Sequence, residues 1–171
     1  MKAGKIHLYC GEGKGKTTAA MGLALRAIGA GRRVTIVQFL KDGTSHEVQL
    51  LKTMPCVKVF AGKVCEAFVW NMTPQQKQQT TQLHNQQLQA ALETPCDMLI
   101  LDEICAAYGL GLVDAEKVKT LVTQKPLDTE LVLTGRDPAD FMMENADYIT
   151  EMVKIKHPFD KGQPARAGIE Y

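Results

Sequence analysis

The stretch Cys10-Gly11-Glu12-Gly13-Lys14-Gly15-Lys16-Thr17-Thr18 joins an apolar run at residues 6–9 to a longer one at residues 19–28. The first run has the length and composition of a strand, the second those of a helix. A glycine-rich turn ending in Gly-Lys-Thr at such a junction forms a phosphate cradle. Glycines let backbone N–H groups turn inward on phosphate oxygens, and the helix N-terminus adds its dipole. Lys16 supplies positive charge and Thr17 a hydroxyl for Mg²⁺. The strict pattern G-x-x-x-x-G-K-[ST] would place glycine at Cys10, whereas the first glycine here is Gly11. The shift leaves the lysine and the helix start in place, so the expected ligand is a nucleoside triphosphate held by Gly11, Glu12, Gly13, Lys14, Gly15, Lys16, Thr17 and Thr18.

With 171 residues and 45% hydrophobic content, the chain is long enough for the core of one domain, expected over residues 1–171. Its 20 basic and 19 acidic residues nearly cancel, so no global field draws nucleic acid or a membrane surface, and neither is an expected partner. No apolar run reaches membrane-spanning length, and the first residues lead into a strand and not into a signal-peptide core, which predicts a cytoplasmic protein. The five cysteines (Cys10, Cys56, Cys65, Cys96, Cys105) include no C-x-x-C pair, so reduced, mainly buried thiols are expected.

Strand-like and helix-like segments alternate along the chain, which predicts an α/β fold, a mainly parallel sheet covered by helices. Strands are expected at 5–9, 34–39, 57–60, 98–101, 130–134 and 148–152. Helices are expected at 16–30, 47–54, 74–93, 114–123 and 138–145. Gly29 and Gly31 are placed to stop the first helix, and Thr73-Pro74 to cap the third. That glutamine-rich third helix carries a partial apolar stripe, Leu83, Leu88, Ala91 and Leu92, and reads as exposed with one buried edge. The segment from Lys156 to Tyr171, punctuated by Pro158, Gly162, Pro164 and Gly168, reads as a folded-over loop.

The run Leu99-Ile100-Leu101-Asp102-Glu103 is a short strand ending in two carboxylates. Ligands of open α/β sheets sit beyond the carboxyl ends of the strands, so Asp102 and Glu103 are expected beside the phosphate loop as Mg²⁺ ligands, direct or through water. By the same geometry Thr134-Gly135-Arg136 aims a guanidinium at triphosphate oxygens. His7, His46, His84 and His157 show neither metal-ligand spacing nor a nucleophile pattern. The only tryptophan stands in Phe68-Val69-Trp70. In extended backbone the two rings share a face, either as a core-facing pair or as a wall for a large, flat ligand. On the residues alone, a small P-loop kinase or ATPase, or a nucleotide-switched regulatory protein, would carry the same loop.

Taken in order, the motifs resemble those of the corrinoid adenosyltransferases of the cobalamin pathway. They are residues 11–20, Gly22-Leu23-Ala24-Leu25-Arg26-Ala27, Val37-Gln38-Phe39-Leu40-Lys41, Phe68-Val69-Trp70, Leu101-Asp102-Glu103, Leu133-Thr134-Gly135-Arg136, Lys156-His157-Pro158-Phe159-Asp160 and Gly168-Ile169-Glu170-Tyr171. The resemblance implies a RecA-like P-loop fold with helices on both faces of the sheet. It implies transfer of the 5′-deoxyadenosyl group of ATP to the cobalt(I) of a reduced corrinoid, cobalamin or a precursor, with release of inorganic triphosphate. ATP lies reversed in the loop in that family. Lys16, Thr17 and Arg136 are the implied catalytic residues, and Thr17, Asp102 and Glu103 the implied magnesium site. Phe68 and Trp70 become the corrinoid wall, crowding the lower axial base off cobalt(II) so that a biological reductant can deliver the next electron. A flavoprotein reductase partner and a homodimer are implied as well. Asn71-Met72 stands where some relatives have Glu-Thr, and the long N-terminal arm of some members is not expected here.

Overall fold

In a computed structural model, residues 3–170 are described; Tyr171, the end of the last motif, lies outside them. Six strands form the sheet: β1 (Ile6–Cys10), β2 (Val34–Gln38), β3 (Val57–Ala61), β4 (Met98–Asp102), β5 (Glu130–Thr134) and β6 (Tyr148–Glu151). All pairings are parallel, in the order β3-β2-β4-β5-β1-β6. The helices are α1 (Lys16–Gly29), α2 (His46–Lys52), α3 (Pro74–Leu92), α4 (Ile104–Gly109), α5 (Ala115–Thr123) and α6 (Asp140–Asn145). This is the expected RecA-like P-loop architecture.

The central strands are apolar on both faces because both are covered. Along a strand, side chains two apart share a face. Val34, Ile36, Met98, Ile100 and Val132 meet Ala20, Met21 and Ala24 of α1 and Val48 and Leu51 of α2. Leu8, Val37, Leu99, Leu101, Leu131 and Leu133 meet Leu88 of α3, Ile104 of α4, Val118 and Leu121 of α5 and Met142 of α6. Each fully buried Leu or Ile contributes about 1.5–3 kcal/mol of transfer free energy. That burial makes the register costly to slip, because a one-residue shift exchanges the two faces.

Register then places polar groups. Gln38 is the Cα partner of Asp102 across β2 and β4, and Tyr9 that of Thr134 across β1 and β5. On the α1 face, each apolar column therefore ends in a polar residue at its carboxyl end: Gln38, Asp102 and Thr134. The strands that carry them are neighbours in the sheet, and α1 begins beside the same edge.

Several boundaries move. The second helix starts earlier and stops at Lys52. The sixth begins at Asp140, not at Pro138. Helix α4 was not anticipated, since Ile104–Gly109 is too short to display a helical period and follows β4 with only Glu103 between them. The third helix starts as expected: Thr73 accepts from the Gln76 N–H, Gln76 caps back on the Thr73 N–H, and Pro74 is the first helical residue. Its buried edge differs, however, consisting of Thr80, His84, Gln87, Leu88 and Ala91, while Leu92 is exposed. Among the described residues no helix is long and apolar enough to cross a membrane.

Candidate functional site

The glycine loop, residues 11–15, is wedged between β1 and the end of β6. The Gly13 N–H donates to the Met152 carbonyl, and a Cβ on Gly13 would lie 2.6 Å from that oxygen. No side chain larger than hydrogen fits while the loop keeps this course. Lys16, the first residue of α1, is buried, and its Nζ donates to the carbonyls of Gly11 (2.6 Å) and Gly13 (2.8 Å). The ammonium thus folds back onto the loop that precedes it. No acidic residue occupies the first turn of α1 itself.

Asp102 ends β4 with no solvent exposure, and four donors from four places in the chain converge on it. Oδ1 accepts from the Thr17 hydroxyl (2.9 Å) and the Thr134 hydroxyl (2.7 Å); Oδ2 accepts from Gln38 Nε2 (3.0 Å) and Lys41 Nζ (2.7 Å). Four bonds saturate the lone pairs of a carboxylate. Burial alone would push this carboxyl up, but the Lys41 ammonium and the hydrogen bonds from Lys41, Thr134 and Gln38 outweigh it and hold Asp102 below its ordinary value. Glu103 adopts left-handed backbone (φ 62°), and its N–H donates to the Thr134 hydroxyl at 2.9 Å. Its carboxylate, one quarter exposed, lies 3.7 Å from Lys41 Nζ.

Arg136 reaches the loop from the end of β5, where its guanidinium pairs with Glu12 at 3.1 Å. The approach depends on Gly135 (φ 152°), since a Cβ there would come within 2.4 Å of the Cys105 Cβ. Lys14 donates to the Ile169 carbonyl at 3.1 Å and so ties the C-terminal segment to the loop. Together these groups enclose a cleft of about 380 Å³, lined by residues 12–18 with Glu103, Arg136, His157, Ile169 and Glu170. The five cysteines are free thiols. Burial raises the Cys10 thiol and pushes the Cys105 thiol up to about 12, which disfavours the thiolate at both.

Phe68 and Trp70 depart from the expected extended backbone and from the core-facing reading. The backbone at Val69–Asn71 is a turn of 3₁₀ helix, not an extended strand. Their rings nevertheless meet, stacked with centroids 4.8 Å apart and planes 3° from parallel. Both are largely exposed, at 65% and 75%, so the pair is no part of the core. Neither ring lines the cleft.

The structure thus gathers residues 12–18, Asp102, Glu103 and Arg136 at one edge of the sheet and leaves the aromatic pair as a separate surface feature. Gln38, the last residue of β2, and Lys41, three residues beyond it, are not among the expected site residues. The rule that led to Asp102, that ligands collect at carboxyl ends of strands, would have found them. The cleft-facing part of the C-terminal segment carried no such signal, because its approach is a long-range contact. His84 is a buried structural histidine; its Nδ1 bonds to the Leu112 carbonyl (2.8 Å) and its Nε2 accepts from the Leu40 N–H (3.2 Å).

Fold and cleft together define the class, an α/β protein of the RecA-like P-loop kind. The chain belongs to the family described as ATP:corrinoid adenosyltransferase BtuR/CobO/CobP, which it matches over residues 2–171. It is 35% identical to the corrinoid adenosyltransferase of a Sinorhizobium species over 98% of this chain and 80% of that one. It is 33% identical to the corrinoid adenosyltransferase of Escherichia coli K12, and 32% to corrinoid adenosyltransferase CobA of Salmonella typhimurium LT2. Each alignment covers 98% of this chain and 86% of the relative.

Proposed function

We propose that this protein transfers the 5′-deoxyadenosyl group of ATP to the cobalt(I) of a reduced corrinoid and releases inorganic triphosphate. Family membership along the whole chain supports the reaction. The observation that carries its assignment to these residues is the convergence of Lys16, Thr17 and Arg136 on one glycine-lined cleft. Cobalt(I) brings its own electron pair to the 5′ carbon. The bond from that carbon to the triphosphate oxygen breaks, and the electrons leave with the triphosphate. No proton must be removed from the nucleophile, so the protein needs no general base. Its tasks are to position the carbon and to stabilise a highly charged leaving group.

In this reading ATP occupies the cleft formed by residues 11–18, with backbone N–H groups and the α1 dipole facing phosphate oxygens. The Lys16 ammonium exchanges its two loop carbonyls for phosphate, a charge-assisted contact that strengthens as the leaving group gains charge. Arg136, now paired with an exposed Glu12, supplies a fork of donors on the opposite rim. The hydroxyl of Thr17 and the carboxylates of Asp102 and Glu103 are hard oxygen donors that fit magnesium, and the cation already resting on them is the Lys41 ammonium. Bound there, magnesium would neutralise charge on the departing triphosphate.

Phe68 and Trp70 form the corrinoid wall in this reading, because two stacked, exposed rings offer a flat apolar face to a flat macrocycle. By displacing the lower axial base they would let a flavoprotein reductase deliver the final electron. That partner and a homodimeric state follow from the family resemblance. The test is to incubate the protein with Mg-ATP and chemically reduced cobalamin and to examine the corrinoid by mass spectrometry. Addition of one deoxyadenosyl group is expected; an unmodified corrinoid would count against the assignment.

A further inference from the structure

Lys41 stands just beyond β2, after Leu40, whose backbone is left-handed (φ 59°) and whose N–H is held by the buried His84. From this anchored turn its ammonium reaches 2.7 Å from Asp102 Oδ2, 2.9 Å from Thr17 Oγ1 and 3.7 Å from Glu103 Oε1. These are the same three groups that the proposed function gives to magnesium. Magnesium binds oxygen at about 2.0–2.1 Å, so an ammonium resting on the Thr17 oxygen competes with the metal for it and is repelled by it. The side chain is one third exposed on a long flexible stem, and it can leave.

We propose that Lys41 is the resident cation of the magnesium centre, neutralising Asp102 in the nucleotide-free protein and making metal binding conditional on phosphate. The physical reason is charge balance. Free Mg²⁺ arriving alone must expel an ammonium from a fully buried carboxylate and leave two cations side by side. Mg²⁺ arriving with a polyphosphate brings anionic oxygens that accept the displaced ammonium. Lys41 is thus a positioning residue that sets the order of loading, and the inference rests on the assignment of magnesium to Thr17, Asp102 and Glu103.

The test is thermal unfolding and calorimetric titration with MgCl₂, with and without inorganic triphosphate, on the wild type, Lys41→Met and Asp102→Asn. Without phosphate, the wild type should show no saturable Mg²⁺ binding and no rise in Tm. Lys41→Met should start roughly 5 °C lower, because Asp102 is left buried without its counter-cation. It should also acquire phosphate-independent Mg²⁺ binding that restores most of the loss. A Lys41→Met protein no more responsive to Mg²⁺ alone than the wild type overturns the proposal. Should that variant not fold, the wild type still decides: a saturable Mg²⁺ site without phosphate overturns the proposal, and a site that appears only with triphosphate supports it. Asp102→Asn separates this inference from the one beneath it. If Mg²⁺ binding with triphosphate is unchanged in Asp102→Asn, Asp102 is no part of the metal site and the premise beneath the inference has failed. If it is lost there while Lys41→Met gains nothing, only the role of Lys41 has failed.

Discussion

The Thr17 hydroxyl donates to Asp102 Oδ1 at 2.9 Å, linking the first turn of α1 to the end of β4. In the proposed function this hydroxyl and this strand-end carboxylate belong to the magnesium site. Asp102→Asn replaces a buried anion with an amide, a much poorer partner for magnesium. The concentration of Mg²⁺ giving half-maximal activity should rise on the order of tenfold or more, as is common when a group supporting a metal is removed. A magnesium titration of the reaction rate checks this; an unchanged midpoint would move the role to Glu103.

Lys16 is buried in its own loop with two carbonyl partners and faces the cleft that the triphosphate is proposed to fill. Lys16→Ala should lower the turnover rate by roughly a hundredfold or more, because the contact is worth most when the leaving group is most charged. Steady-state kinetics at saturating ATP separate this from weaker binding. A rate within a fewfold of wild type would mean that the loop only holds ATP, or that Lys14 substitutes.

Trp70 is three-quarters exposed and stacks on Phe68, so Trp70→Ala should change stability by about 1 kcal/mol or less. Activity should fall when cobalamin is supplied as cobalt(II) with a mild reductant. It should recover largely when cobalt(I) is made by a strong reductant, or when the corrinoid lacks a lower base. Rates compared under these three conditions give the answer; equal loss in all of them would remove the aromatic pair from the reduction step.

Much of this arrangement was legible because local chemistry dictates it. Gly11 to Gly15 must be a turn before the helix that Lys16 begins, and the apolar runs ending in Asp102 and Thr134 must be buried strands whose polar ends collect at one edge. What stayed hidden depended on register and on distant contacts. Pairing Gln38 with Asp102 requires knowing that β2 and β4 are neighbours, although the chain visits β3 between them. The exposure of Phe68 and Trp70 was equally invisible, since two aromatics two residues apart read the same in a core strand as in a surface turn. His84 and Gln87 are buried on a helix whose composition points to solvent, and packing against β2 and β3 overrides that composition.

His84 gives a prediction on pH. Burial holds its pKa below the ordinary histidine value, with the hydrogen bond to Leu112 opposing the shift. The unfolded chain therefore takes up a proton at higher pH than the folded one. The stability that the neutral ring contributes is fully present above about pH 6.5 and is lost as pH falls below it, at up to about 1.4 kcal/mol per pH unit, until the folded protein also binds the proton. His84→Gln should flatten this part of the profile. Denaturant unfolding of both proteins from pH 7.5 downward measures it, and identical slopes would show that His84 does not titrate on unfolding.

The central claim is that the bond broken in ATP lies at the 5′ carbon and not at the γ-phosphorus. Phosphorus NMR of the products formed from Mg-ATP and a cobalt(I) corrinoid measures this directly. Inorganic triphosphate should appear in step with loss of the reduced corrinoid, and neither should form if the corrinoid is omitted. ADP and orthophosphate, released at a rate indifferent to the corrinoid, would contradict the account and point to an ATPase.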